Sequence, residues 1–164
     1  MDVRRLETSV GPFSLVPLEL DVASREDLLT QVATTLLEWG WVDPGFVSAL
    51  LQRERRFPTG LALATGALAL PHTDAKYCRR NGIVVAHNAR SVTFRRLDNP
   101  DAEVSVNMVI TLVIVEPQQQ VPMLSRLSES LTDPTFVAAL KAGGGAASLA
   151  EVLEALLFVK GREQ

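Results

Sequence analysis

The period of the hydrophobic positions changes twice along the chain. Between Leu28 and Leu37, apolar residues recur at three- and four-residue spacing (Leu28, Leu29, Val32, Ala33, Leu36, Leu37), which predicts a helix with one buried face running to about Trp39. Ser24 followed by Asp27 supplies its start signal and Gly40 its stop. Asp43-Pro44 predicts a second helix, with a capping carboxylate and proline at the first helical position. Phe46, Val47, Leu50 and Leu51 form its apolar stripe. Arg53, Glu54, Arg55 and Arg56 crowd its last turn, where cations complement the helix dipole. Residues 1–20 are weakly patterned; Phe13, Leu15, Leu18 and Leu20 indicate a short strand or an extended lead-in.

From Phe57 the texture turns to strand. Phe57-Pro58-Thr59-Gly60 is turn chemistry, and Gly66 to Leu70 reads as a short buried strand stopped by Pro71. Gly82 to Ala86 and Ser91 to Phe94 predict two further strands, with Asn88 in a turn between them. Asn99-Pro100-Asp101 marks a surface turn. Val104 to Val115 is rich in Val and Ile and carries no charge, the mark of a strand covered on both faces. Helical spacing then returns. Gln118 to Leu131 carries Val121, Leu124, Leu127 and Leu131, and Asp133-Pro134 opens another helix. The three glycines at 143–145 break the chain, and Ser148 with Glu151 forms a capping box for a last helix with Leu149, Val152, Leu153, Leu156 and Leu157 on its stripe. Helices, a strand-rich centre and helices again predict an α/β fold, a single mixed β-sheet sandwiched between helices on both faces. The 164 residues are expected to form one domain.

Composition narrows the chemistry. Sixteen Lys+Arg against nineteen Asp+Glu, with few aromatic residues, lack the basic field and stacking rings of a nucleic-acid binder. Two histidines and one cysteine make a zinc site improbable and an internal disulfide impossible. The longest uncharged run, Phe57 to Thr73, is interrupted by prolines, glycines and His72 and does not qualify as a membrane span. Arg4 and Arg5 are followed by Glu7, Thr8, Ser9, Gly11 and Pro12, where the apolar core of a signal peptide would be expected. The expectation is a soluble, cytoplasmic protein.

His72 is the candidate reactive residue. It follows Gly66-Ala67-Leu68-Ala69-Leu70-Pro71, so its imidazole emerges where a buried strand ends, at the rim where α/β sheets commonly keep their sites. By itself such a histidine reads more readily as a structural cap at a strand end. His87, at the end of a predicted strand, reads as structural or surface, and Cys78 as packing or surface. Lys76, Arg79 and Arg80 close after His72 read as an exposed helix face or as a patch for an anionic partner.

Arg53-Glu54, then Thr59-Gly60, then an apolar strand ending Pro71-His72 resembles the enzyme IIA domain of the sugar phosphotransferase system, of the mannitol/fructose type. Glu116-Pro117-Gln118-Gln119-Gln120, with its leucine-rich helix, resembles more narrowly the galactitol-specific branch. The resemblance implies a phosphocarrier. His72 would accept a phosphoryl group from the phosphohistidine of the small carrier HPr and pass it to a cysteine of a IIB partner, with a membrane IIC component engaged indirectly and no cofactor or metal required. Thr59, Gln120, Arg53 and Glu54 would support the phosphoryl site. Thr59 would act through its hydroxyl and turn, together with a helix N-terminus after His72. Gln120 falls where mannitol and fructose members usually carry a second histidine; its amide can still donate to a phosphoryl oxygen. The alternative reading is a regulatory IIA-like module that signals through its phosphorylation state.

Overall fold

The computed structural model describes residues 3–8, 11–64 and 66–157. The strands are β1 (Arg4–Thr8), β2 (Gly11–Leu20), β3 (Gly60–Leu63), β4 (Gly66–Ala69), β5 (Gly82–Arg95) and β6 (Glu103–Val113). The helices are α1 (Arg25–Glu38), α2 (Gly45–Arg56), α3 (Pro117–Leu131), α4 (Pro134–Ala142) and α5 (Ala146–Leu157). The strands form one six-stranded mixed sheet in the order β1-β2-β5-β6-β4-β3. β2 runs parallel to β5 and β4 parallel to β6, while the other neighbours are antiparallel.

Both faces of the sheet are covered, as the uncharged β6 requires. Met108, Ile110 and Leu112 of β6 and Ile83 and Val85 of β5 pack with α3, α4 and α5. The alternate residues Val109, Val113, Val84 and Ala86 pack with Leu28, Val32 and Leu36 of α1 and with Phe46 and Leu50 of α2. The period-two alternation of strand side chains thus feeds two separate cores from the same strands. Each fully buried Leu, Ile, Val or Phe contributes roughly 1.5–3 kcal/mol.

Several local expectations change. The lead-in is two strands, a β1–β2 hairpin that extends the sheet through β5. Gly82 to Ala86 and Ser91 to Phe94 belong to one long strand, with a register shift between His87 and Val92. Asn88 lies at that irregularity, fully buried rather than in a turn. Its amide donates to the carbonyls of Val22 and Arg90 at 2.9 and 2.7 Å and accepts from the Val22 N–H at 2.8 Å. An asparagine is common at turns because its side chain mimics backbone; here the same ability stitches a bulge to the chain leaving β2. The Asp43 carboxylate does not cap α2: Pro44 occupies the cap, and the carboxylate pairs with Arg79. α5 begins before Ser148, and its first N–H, that of Ala146, is taken instead by Glu19 of β2 at 2.6 Å. Val121 is exposed, and Met123 takes the buried place on α3. Ser24 and Asp133 cap their helices as predicted.

Asn88→Ala should destabilise the fold by about 1–3 kcal/mol in urea unfolding, because it removes three part-buried hydrogen bonds to Val22 and Arg90. A loss under 1 kcal/mol would show that water replaces these bonds.

Candidate functional site

The site lies where β4 ends beside the carboxyl end of β6. Leu70-Pro71-His72 leaves the sheet there, and the Leu112 N–H of β6 reaches the Pro71 carbonyl at 3.4 Å. Pro71 fixes its own φ and donates no hydrogen bond, so the chain turns out of the sheet at this point. The imidazole folds back: Nδ1 of His72 lies 2.9 Å from the Leu70 carbonyl oxygen. A carbonyl only accepts, so Nδ1 carries the proton and the lone pair resides on Nε2.

Leu70 is itself held. Its N–H donates to both the hydroxyl and the carbonyl oxygen of Thr59, at 3.2 and 3.3 Å. Thr59 in turn donates its N–H and its Oγ1–H to the two carboxylate oxygens of Glu54, each at 2.8 Å. Glu54 and Thr59 are buried, at 4% and 6% exposure. A path of hydrogen bonds therefore runs from the end of α2 through the start of β3 to the end of β4 and the imidazole. Gly60, next to Thr59, permits the close approach of the Arg95 segment: a Cβ there would lie 2.5 Å from the Arg95 carbonyl oxygen. Burial pushes the Glu54 carboxyl up to about 7, against the two Thr59 bonds and the field of Arg25. Burial also holds the His72 imidazole below its ordinary 6.5; Arg53 adds to that, while the Leu70 carbonyl and Asp74 oppose it. A neutral ring with a free Nε2 lone pair is the result near pH 7.

The predicted site residues divide into two groups. Arg53 acts on the His72 imidazole through its charge, and Gln120 reaches the residue that follows it. Arg53 Nη1 pairs with Asp74 at 3.4 Å, and its guanidinium lies over the Phe57 ring, 5.2 Å from the centroid. The Gln120 amide donates to the Thr73 carbonyl at 3.2 Å, which brings the start of α3 against the chain leaving His72. Glu54 and Thr59 stand behind the imidazole, bonded to each other and to Leu70. The expected helix N-terminus after His72 is only a short 3-10 turn, Ala75–Tyr77. A cavity of about 230 Å³ opens at the chain that follows the histidine, between Arg53, Arg56 and Phe57 on one side and Thr73, Asp74 and Tyr77 on the other.

With this geometry in view, comparison with known proteins decides the family. Residues 13–156 match the family model described as "Phosphoenolpyruvate-dependent sugar phosphotransferase system, EIIA 2". The chain belongs to this family. The galactitol-specific EIIA component of Escherichia coli K12 is 33% identical over 121 residues, which cover 74% of this chain and 80% of that protein. The transcriptional regulator ManR of Bacillus subtilis is 28% identical over 128 residues, 77% of this chain and 18% of the regulator. Among solved structures, the Escherichia coli IIA mannitol crystal structure superposes with a TM-score of 0.64 at 21% identity, covering 84% of this chain and 94% of that one. That likeness carries the fold, a mixed sheet between helical layers.

The remaining candidates in this IIA-family chain have structural places. Cys78 is buried, its thiol 3.8 Å from the Asp74 carbonyl and pushed up to about 11 by burial. His87 Nδ1 meets Glu19 Oε1 at 2.7 Å. Lys76, Arg79 and Arg80 do not share a helix face: Lys76 lies over Tyr77, Arg79 pairs with Asp43, and Arg80 lies over Trp41 and donates to Ser14. Among the described residues, no three His, Cys, Asp or Glu side chains gather as a metal site, and no helix is long and apolar enough to cross a membrane. Sequence reasoning missed Asp74 as the partner of Arg53 and the Leu70 carbonyl as the acceptor for His72; the Leu-Pro-His order was the available signal for the second.

The raised Glu54 carboxyl makes a signed prediction. Its protonated form is favoured in the native state, so its contribution is fully present below pH 4.5 and is lost as pH rises toward 7. At about 1.4 kcal/mol per pH unit, that interval corresponds to a decline in stability on the order of 3 kcal/mol. Glu54→Gln should flatten the slope of unfolding free energy between pH 4.5 and 7 in urea titrations; an unchanged slope would place the carboxyl's titration elsewhere.

Proposed function

We propose that the protein is a phosphocarrier of the sugar phosphotransferase system in which His72 Nε2 is the phosphoryl acceptor. The observation that carries the reading is the 2.9 Å contact between Nδ1 and the Leu70 carbonyl, which assigns the proton to one nitrogen and the lone pair to the other. Nε2 attacks the phosphorus of the HPr phosphohistidine. The new N–P bond forms as the donor's N–P bond breaks, and the donor imidazole leaves with the electron pair. The phosphorylated His72 ring is cationic while Nδ1 keeps its proton, and the Leu70 carbonyl stabilises that charge. In the second transfer a IIB cysteine thiolate attacks phosphorus, forming an S–P bond, and His72 leaves as the neutral imidazole it was.

Phosphoryl transfer needs positioning and stabilisation of charge spread over the phosphoryl oxygens. Arg53 is suited to the second role because its pair with Asp74 is half exposed and therefore weak, so the guanidinium is released to an incoming phosphoryl group at little cost. Gln120 contributes an amide donor from the start of α3 without adding charge. Thr59 and Glu54 support the site through Leu70.

The IIB partner is supported by a solved complex of Escherichia coli mannitol IIA with phosphorylated mannitol IIB; it superposes on this chain with a TM-score of 0.66 at 20% identity. The 33% identity to a galactitol-specific component supports galactitol or a related polyol as the transported compound, moved by a IIC membrane component. HPr as donor and a cytoplasmic location follow from the same reading. A regulatory role is the second reading, favoured by the match to ManR.

Wild-type protein incubated with phosphorylated HPr should take up one acid-labile phosphate, and His72→Ala none. Uptake that survives in His72→Ala, or no uptake by the wild type, would overturn the assignment.

A further inference from the structure

Glu54 also borders a second cavity, of about 290 Å³, lined by Arg25, Glu26, Arg55 and Arg95. The three arginines come from separate elements: the first residue of α1, the last turn of α2 and the last residue of β5. Arg25 is fixed in place, donating to the Thr93 carbonyl at 3.3 Å and to Glu26 Oε2 at 3.2 Å. The side chains of Arg55 and Arg95 have no hydrogen bond or ion pair among the described residues. Three guanidinium groups thus face one exposed carboxylate, with the buried Glu54 carboxyl at the cavity's inner side. The balance leaves room for about two negative charges.

We propose that this cavity binds a small phosphomonoester, and that its occupancy is transmitted to His72 through Glu54, Thr59 and Leu70. The planar guanidinium fork matches phosphate oxygens two at a time, which favours a phosphate over a simple carboxylate ligand. The cavity is near the lower size limit of small-molecule sites, so it has space for a short organic group beyond the phosphate itself. A dianion placed there offsets the field that Arg25 exerts on Glu54. The neutral carboxyl is then favoured further, and a protonated Glu54 oxygen no longer accepts from Thr59 as the carboxylate does. Because Thr59 holds the Leu70 N–H and Leu70 holds His72, the change reaches the imidazole without any contact between ligand and site.

The binding step stands independently of the phosphocarrier reading; its consequence at His72 rests on that reading. The test is an NMR titration of the full chain with glycerol 3-phosphate, with inorganic phosphate and sodium sulfate as parallel arms. Wild type should show saturable shifts at Arg25, Arg55 and Arg95, and the His72 ring resonances should move with the same midpoint. Arg55→Gln/Arg95→Gln should weaken binding at least tenfold. Glu54→Gln should leave the His72 resonances still at ester concentrations that saturate the shifts at Arg25, Arg55 and Arg95. Sulfate binding as tight as the ester would reduce the site to general anion attraction and overturn the assignment of ligand class. Shifts that do not saturate, or persist in the double arginine variant, would overturn the site. Saturable binding with an unmoved His72 in wild type would overturn the transmission. His72→Ala should bind the ester normally, so loss of phosphoryl uptake and loss of this site are read separately.

Discussion

The two backbone groups of Leu70 are the constraint on which the site depends. Its N–H is committed to Thr59 and its carbonyl to His72, so one residue at the end of a short strand sets both the position and the tautomer of the imidazole. Leu70 can serve this way only because Thr59 is immobilised from behind by both oxygens of Glu54. The end of α2, the turn into β3 and the exit of β4 therefore behave as one hydrogen-bonded unit. The glycine at 60 and the proline at 71 are the backbone conditions for it, the first permitting close approach of the Arg95 segment and the second ending the sheet at the right residue.

The site combines two kinds of polar interaction with opposite energetics. The Glu54–Thr59 bonds are buried, short and costly to break, since either partner left alone would be an unsatisfied polar group away from water. The Arg53–Asp74 pair is half exposed and screened, worth little to stability. Rigid support lies behind the imidazole, and an exchangeable cation acts on it from the Arg53 side. The phosphocarrier proposed above would draw on this division: a fixed imidazole, and charge stabilisation weak enough to let a phosphoryl group move on.

Much of this was legible in the chain. The helix stripes, the Ser24 and Asp133 caps and the uncharged β6 follow from local periodicity, and those elements stand where the pattern placed them. Three of the misread positions share a physical cause, a side chain whose partner is distant in sequence. Asn88 bonds Val22 across 66 residues, the Asp43 carboxylate leaves its helix for Arg79, and Glu19 caps α5 from 127 residues away. The same holds at the site. Arg53, Glu54, Thr59 and His72 are visible as a motif, but Glu54 and Thr59 support the histidine indirectly, and that only emerges once β4 brings Leu70 beside Thr59. Nor does the run Arg53-Glu54-Arg55-Arg56 disclose that its members face different cavities, Arg53 and Arg56 toward Thr73 and Asp74 and Arg55 toward Arg25 and Arg95.

The central claim is that Leu70 fixes His72 with its proton on Nδ1 and a lone pair on Nε2. The direct measurement is the pair of ring ¹⁵N chemical shifts of His72 at pH 7.5 in protein labelled at histidine. The account predicts a protonated, pyrrole-type Nδ1 and an unprotonated, pyridine-type Nε2. The reverse assignment, with the proton on Nε2, would contradict it.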